Sequence, residues 1–161
     1  EHLSNLMEVT HFPLSMVFFG IGKEEISHNL DGFGFLVPEK EKLSILGTLF
    51  SSTLFENRAP HGKVLLTTFV GGERMPKLAL AEDEQIYKAV EKDLSKLIGM
   101  KKKPSFKHIK RWKQSIPLPD QKMSLRIKAS KELSFLNNGL YFSGSALSGV
   151  SLPNCIDADI A

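Results

Sequence analysis

A single cysteine, Cys155, is all the thiol chemistry in 161 residues. One thiol closes no internal disulfide and completes no zinc cluster, so the composition points to a reducing compartment. Long hydrophobic runs are missing too. The longest, Phe12 to Gly22, contains Pro13 and Ser15 and falls well short of the roughly 20 apolar residues of a membrane-spanning helix. No secretory leader is recognisable near Glu1, and the expected location is cytoplasmic. No G-x-G-x-x-G fingerprint opens a βαβ unit; "GFGFLVP" has two of the glycines and then runs into an extended segment. His28, His61 and His108 show no metal-ligand spacing and read as surface or loop histidines. Internal repeats and low-complexity tracts are absent. What remains is a chain with 42% apolar and 24% charged residues, as in folded globular proteins, and long enough for a sizeable core.

The net charge of +3 is small but uneven, because seven of the 21 basic side chains lie in "KKKPSFKHIKRWK", Lys101 to Lys113. One reading is a solvated strand edge, where lysines deter edge-to-edge aggregation. The other is an anionic partner, either a lipid surface or nucleic acid. Phe106 and Trp112 would suit stacking on bases, yet no recognised nucleic-acid motif accompanies them.

Hydrophobic periodicity predicts a strand from Phe12 to Ile21, a short extended segment in "FGFLVP", and further strands over Ser44–Phe55 and Lys63–Gly72. The short loops between them favour antiparallel neighbours. The period then changes. Ile86, Val90, Leu94 and Leu97 recur at helical spacing behind Glu82, Asp83 and Glu84, with Lys96 in the last turn and Gly99 as a stop. "SFKHIKRW" alternates as a fourth strand, "SIPLPD" breaks it, and a weaker helix runs from about Lys122 to Leu136. "LYFSG" reads as a last short strand. It enters "GSALSGVSLPNCI", a glycine- and serine-rich turn and helix start that suits an anionic or flat ligand. That strand-turn-helix order belongs to nucleotide sites more than to antiparallel sheets.

"DGFGFLVP", "LGTLFSSTLFENRAP", "LLTTFVGGERMPKL", "RWKQSIPL" and "GLYFSGSALSGVSLPNCI" follow one another in an order and spacing that resemble the C-terminal portion of the protoporphyrinogen oxidase family. These are flavin-dependent, amine-oxidase-like enzymes of haem and chlorophyll synthesis. The resemblance runs from Leu3 to Ala161 and covers less than half of a typical member. It implies an α+β fold: an antiparallel-sheet substrate domain with packing helices, plus the C-terminal strand-turn-helix start of a Rossmann-like FAD domain. Residues 1–136 would be the substrate-binding portion, with 105–136 leading back, and 137–161 the FAD-domain segment.

The family oxidises a porphyrinogen, either protoporphyrinogen IX or coproporphyrinogen III, to the porphyrin, with FAD taking the electrons. The resemblance therefore implies FAD and a porphyrinogen as partners and a fragment that is inactive alone. It implies no nucleic acid, and the family's peripheral inner-membrane association is a further expectation. Trp112 matches the family tryptophan that precedes "IP" and lies near the flavin, and Val150, Ser151 and Leu152 match the turn against the isoalloxazine ring. Gly149, with no side chain, would let that turn approach closely. Leu36, Leu49 and Phe69 match apolar positions of the porphyrinogen pocket; by residue type alone each would equally be ordinary core. No acid or base is required from this portion, because hydride abstraction is the flavin's chemistry. Cys155 reads as a packing residue.

Pro119 departs from the pattern, standing where a tyrosine is common. Lys122-Met123 stand where Gly-His often occurs, and Ser145 is a mild change. Two other classes stay open: a non-enzymatic sheet module that uses the Lys101–Lys113 cluster on an acidic partner, and a flavin enzyme of the same superfamily with another substrate.

Overall fold

The computed structural model describes residues 6, 9–118, 120 and 122–160. They form two compact units. One is Pro13–Lys113, and the other joins the described residues before Pro13 to those after Lys113. The 136/137 division expected above falls inside the second unit, and Pro119 lies outside the described residues.

The Pro13–Lys113 unit is a five-stranded antiparallel sheet in the order β2-β3-β4-β1-β5. Its strands are β1 (Leu14–Gly22), β2 (Gly34–Leu36), β3 (Gly47–Phe50), β4 (Lys63–Gly71) and β5 (Phe106–Trp112). "FGFLVP" thus contributes a fifth strand at one edge. The basic "FKHIKRW" forms the other edge, where its cations suit an unpaired ladder. The central pair, β1 and β4, is apolar on both faces. Such sequences belong to strands that meet other material on each side.

On the inner face, Val17, Phe19 and Ile21 of β1 and Val64, Leu66 and Val70 of β4 are buried. They pack in one cluster with the helix α3, whose range is Asp83–Ile98. Two single-turn helices precede it, α1 (Ser51–Leu54) and α2 (Pro76–Ala79). Asp83 and Glu84 complement the α3 N-terminal dipole, Lys96 complements its C-terminus, and Gly99 ends it in the left-handed region. Its buried stripe is Ile86, Tyr87, Val90, Asp93, Leu94 and Ile98. Leu97 was expected there but is exposed, and Ile98 takes the place. A 3.6-residue period allows either step from Leu94, and contact with the sheet selects i+4.

The expected strand Ser44–Phe55 is corrected as well. Only Gly47–Phe50 pairs with β4, and the chain then turns into α1. Side-chain hydroxyls take over from the ladder at this point. The Ser51 and Thr67 hydroxyls lie 2.7 Å apart, and the Leu65 N–H donates to Ser52 Oγ at 3.0 Å.

Asp93 is the one charged member of the α3 stripe, and its Oδ2 accepts the Ser44 N–H at 2.6 Å, tying the loop before β3 to the helix. Asp93→Ala leaves that backbone donor unpaired and is expected to cost about 1–3 kcal/mol in urea unfolding. Asp93→Asn keeps an acceptor and should lose less. Equal losses for both would show that the tie contributes nothing.

In the other unit, the Ser115 and Leu118 N–H groups donate to Phe12 O and Thr10 O at 3.2 and 3.1 Å. Three helices follow: α4 (Met123–Leu136), α5 (Ser145–Ser148) and α6 (Leu152–Ile160). "LYFSG" is not a strand: residues 140–143 are irregular. A strand exists only where a neighbour completes its ladder, and none among the described residues pairs with this segment. The expected strand-turn-helix is therefore a turn and a helix here. Among the described residues no helix is long and apolar enough to cross a membrane.

Candidate functional site

Residues opposite one another in a ladder share a face of the sheet, so the register sorts the candidate residues directly. Leu36 pairs with Gly47, Gly47 with Phe69, Phe69 with Met16, and Met16 with Lys110. In the next row Leu49 pairs with Thr67, Thr67 with Phe18, and Phe18 with His108. Trp112 pairs with Leu14, two residues along β1 from Met16, and so joins the same side. Leu36, Leu49, Phe69 and Trp112 therefore all lie on the outer face, opposite the face buried under α3. From β2 to β5 this face extends about 19 Å, four strand spacings.

These side chains are accessible. Leu36 is 87%, Leu49 38% and Trp112 46% exposed, while Phe69 is half-buried. Met16, Phe18, Leu65 and Phe106 share the face; the sequence reading did not single out the first three, and it weighed Phe106 only for stacking on bases. The signal for Met16 and Phe18 was present: "LSMVFFGIG" has apolar residues on both parities, which marks two covered faces instead of one.

The electrostatics of the face are one-sided. Its strand positions include Lys63, His108 and Lys110 but no carboxylate. Lys110 Nζ lies 5.1 Å from the Trp112 ring centroid, a cation–π contact, and the Phe18 and His108 rings stand 5.9 Å apart. The inward-facing bases of β5 are committed elsewhere. Lys107 pairs with Glu91 at 2.9 Å beneath the Tyr87 ring, and Arg111 pairs with Asp83. Glu91 holds the Lys107 ammonium pKa above its usual range, and burial pushes the Tyr87 phenol up.

Val150, Ser151 and Leu152 lie in the other unit, on an exposed turn. Ser151 caps α6: its Oγ accepts the Asn154 N–H at 3.2 Å, and its carbonyl accepts the first helical bond, from Cys155, at 3.1 Å. Pro153 in the first turn suits the helix start. The turn is held from within by Ser148 Oγ donating to Gly144 O at 3.0 Å and by Cys155 Sγ against Gly149 O at 3.4 Å. That half-buried thiol packs as expected. Gly149 has φ +104, a conformation in which a side chain is strained. The N–H groups of Val150, Ser151 and Leu152 donate to nothing among the described residues. A flat ring with acceptor atoms would fit such a turn. No group of three or more His, Cys, Asp or Glu able to hold a metal occurs among the described residues.

The sequence pattern of the flavin containing amine oxidoreductases matches residues 4–158. The chain belongs to this family. Mitochondrial protoporphyrinogen oxidase of Nicotiana tabacum is 35% identical over 159 residues, covering 97% of this chain and 32% of the relative. Coproporphyrinogen III oxidase of Bacillus subtilis is 27% identical over 98% of the chain and 33% of the relative. Among solved structures, a provisionally named protoporphyrinogen oxidase from Exiguobacterium superposes with a TM-score of 0.76 at 26% identity, covering 98% of this chain and 35% of the other. The chain thus spans about a third of the length of the family members it matches.

Proposed function

We propose that this chain supplies the substrate-binding sheet face and the flavin-side turn of an FAD-dependent porphyrinogen oxidase. One observation carries the reading. Four residues drawn from four separated motifs, Leu36, Leu49, Phe69 and Trp112, fall on one accessible side of a sheet whose other side is core. Residues recruited only for packing would have scattered over both sides.

A porphyrinogen is a broad, mostly apolar macrocycle, and it needs a wide aliphatic and aromatic surface with few polar anchors. Leu36, Leu49 and Phe69 hold its face and exclude water from it, and Trp112 marks the flavin end of the platform. Bound FAD would take the electrons removed from the substrate. The residues that would hold it are Val150, Ser151 and Leu152, through backbone N–H groups that Gly149 leaves unshielded. The segment 137–161 belongs, on this reading, to the FAD domain, although residues 140–143 have no ladder partner here. The 161-residue chain by itself is inactive, because it brings no dinucleotide-binding glycine loop. Relatives named for either porphyrinogen match the chain, so the substrate is assigned only as a class. The basic-patch reading draws less support, since Lys102, Lys107 and Arg111 are paired with the unit's own carboxylates.

The test is made on the product of the complete reading frame that contains this chain. It is expected to purify with flavin and to oxidise a porphyrinogen. Phe69→Ala should then raise KM about tenfold, the equivalent of one lost apolar contact of 1–3 kcal/mol. A colourless protein that cannot be reconstituted with FAD would defeat the assignment.

A further inference from the structure

The outer face does not end at the predicted residues. Four positions along β4 from Phe69, about 13 Å, the strand reaches Leu65 and then Lys63. Here a cavity of about 410 Å³ opens, lined by Gly20, Leu65 and Phe106 of the sheet and by Arg58, Pro60 and Ser105 beside it. Its floor is apolar, and Arg58 and Lys63 are both exposed cations at the cavity. Neither forms an ion pair among the described residues. Lys63 Nζ donates to Ser105 Oγ at 3.3 Å, and the Arg58 guanidinium lies 5.6 Å from the Phe55 ring centroid. A carboxylate within electrostatic reach of Lys63 is already engaged. Glu25 is bound by Lys102 at 3.0 Å and accepts the Gly22 N–H at 3.2 Å, and its carboxyl is held below the usual range chiefly by Lys102, with a smaller contribution from Lys63.

An apolar floor flanked by two cations that have no carboxylate partner among the described residues suits a carboxylate attached to a hydrophobic body. Arg58 offers a planar fork and Lys63 a point charge, while the Ser105 hydroxyl, which donates to Gly20 O at 3.2 Å, orients the Lys63 ammonium. We infer that this cavity is the acid-side-chain subsite of the platform: Leu65 and Phe106 hold the rim of the macrocycle, and Arg58 with Lys63 binds a carboxylate that it carries. The inference rests on the outer face being the porphyrinogen surface, and it fixes which edge of the ring points away from Trp112.

The probes are mesoporphyrin IX and its dimethyl ester, which differ only in their carboxylates. Binding is read by fluorescence on the complete reading-frame product, wild type and the Arg58→Gln/Lys63→Gln double variant. Both substituted side chains are exposed, and thermal unfolding checks that the fold is kept. The wild type should bind the free acid at least about tenfold more tightly than the ester, a difference of about 1.4 kcal/mol. The double variant should lose that preference and bind the ester unchanged. If the double variant keeps the preference, or if Lys110→Gln abolishes it instead, the subsite is wrong while the platform stands. Equal affinity of the wild type for both probes also overturns the subsite alone. If neither probe binds, the platform falls with it.

Discussion

Gly71→Ala is expected to destabilise the Pro13–Lys113 unit by about 3–5 kcal/mol, although it adds one methyl group. Gly71 ends β4 at φ +114, a conformation that L side chains rarely adopt. An added Cβ would lie 2.5 Å from the Ala79 Cβ and 2.7 Å from the Pro13 carbonyl oxygen. Neither neighbour can yield cheaply. The Pro13 carbonyl accepts the Gly72 N–H at 2.9 Å, and Ala79 is fully buried, its own carbonyl accepting the Ser15 hydroxyl at 2.6 Å. Backbone strain and overpacking each contribute about 1–3 kcal/mol and act together here. A central strand cannot relieve the clash by peeling away, as a short edge strand could. For a unit of this size the melting temperature should fall by at least about 10 °C. The substitution also bears on the platform, because Leu14 is the ladder partner of both Gly71 and Trp112. A variant that melts with the wild type would mean that the chain does not take this path after β4.

Asp120→Ala is the second large expected loss, and it falls on the other unit. Arg126, on α4, is 1% exposed, and its guanidinium forms a two-pronged pair with Asp120 at 2.7 and 3.1 Å. Its Nε donates to Ala146 O at 3.4 Å, which ties α4 to α5. The pair itself adds little against a well-packed apolar replacement, but removing only the carboxylate takes a two-pronged partner from a buried charge. The expected asymmetry is testable: an Asp120→Ala/Arg126→Met double variant should recover part of the loss. Additive losses would argue against the pairing. The pair also predicts acid sensitivity. The Arg126 hydrogen bond, with help from the Lys122 N–H, holds the Asp120 carboxyl below the usual carboxylate range. A lowered folded pKa means that its stabilisation is complete above about pH 4, the ordinary Asp value, and is lost as pH falls through the folded value. The Asp120→Ala protein should therefore show a flatter stability profile below about pH 4.

Both effects would reach function by different routes. Loss of Gly71 disturbs the sheet that carries Leu36, Leu49, Phe69 and Trp112. Loss of Asp120 loosens the unit whose helices begin around Ser145 and Ser151. Comparing flavin content with porphyrinogen KM in the two variants would separate these contributions.

Much of the architecture was legible along the chain because it is local. The β-branched and apolar content of "KVLLTTFVG" and the alternation of "FKHIKRW" specify strands, and the acidic start and glycine stop around Ile86–Leu94 specify a helix. Motif order pointed to the family and to Leu36, Leu49, Phe69 and Trp112 as apolar candidates. Other features depend on partners remote in sequence. Ser51 and Ser52 leave the ladder because Thr67 and Leu65 wait across from them. Leu97 and Ile98 are equivalent to a periodicity argument until the sheet takes one of them. Arg126 gave no sign of burial, since a mid-helix arginine is ordinarily a surface residue, and its burial is made tolerable by partners such as Asp120 and Ala146. "LYFSG" has strand-forming residues and no strand, because a ladder takes two chains of backbone donors and acceptors. By itself, then, the sequence determined which segments can be extended or helical and which residues are apolar. Which side of the sheet each apolar residue occupies, and that Arg58, Lys63, Ser105 and Phe106 share one hollow, was decided by register and loop closure, which couple positions tens of residues apart and leave no mark in local composition.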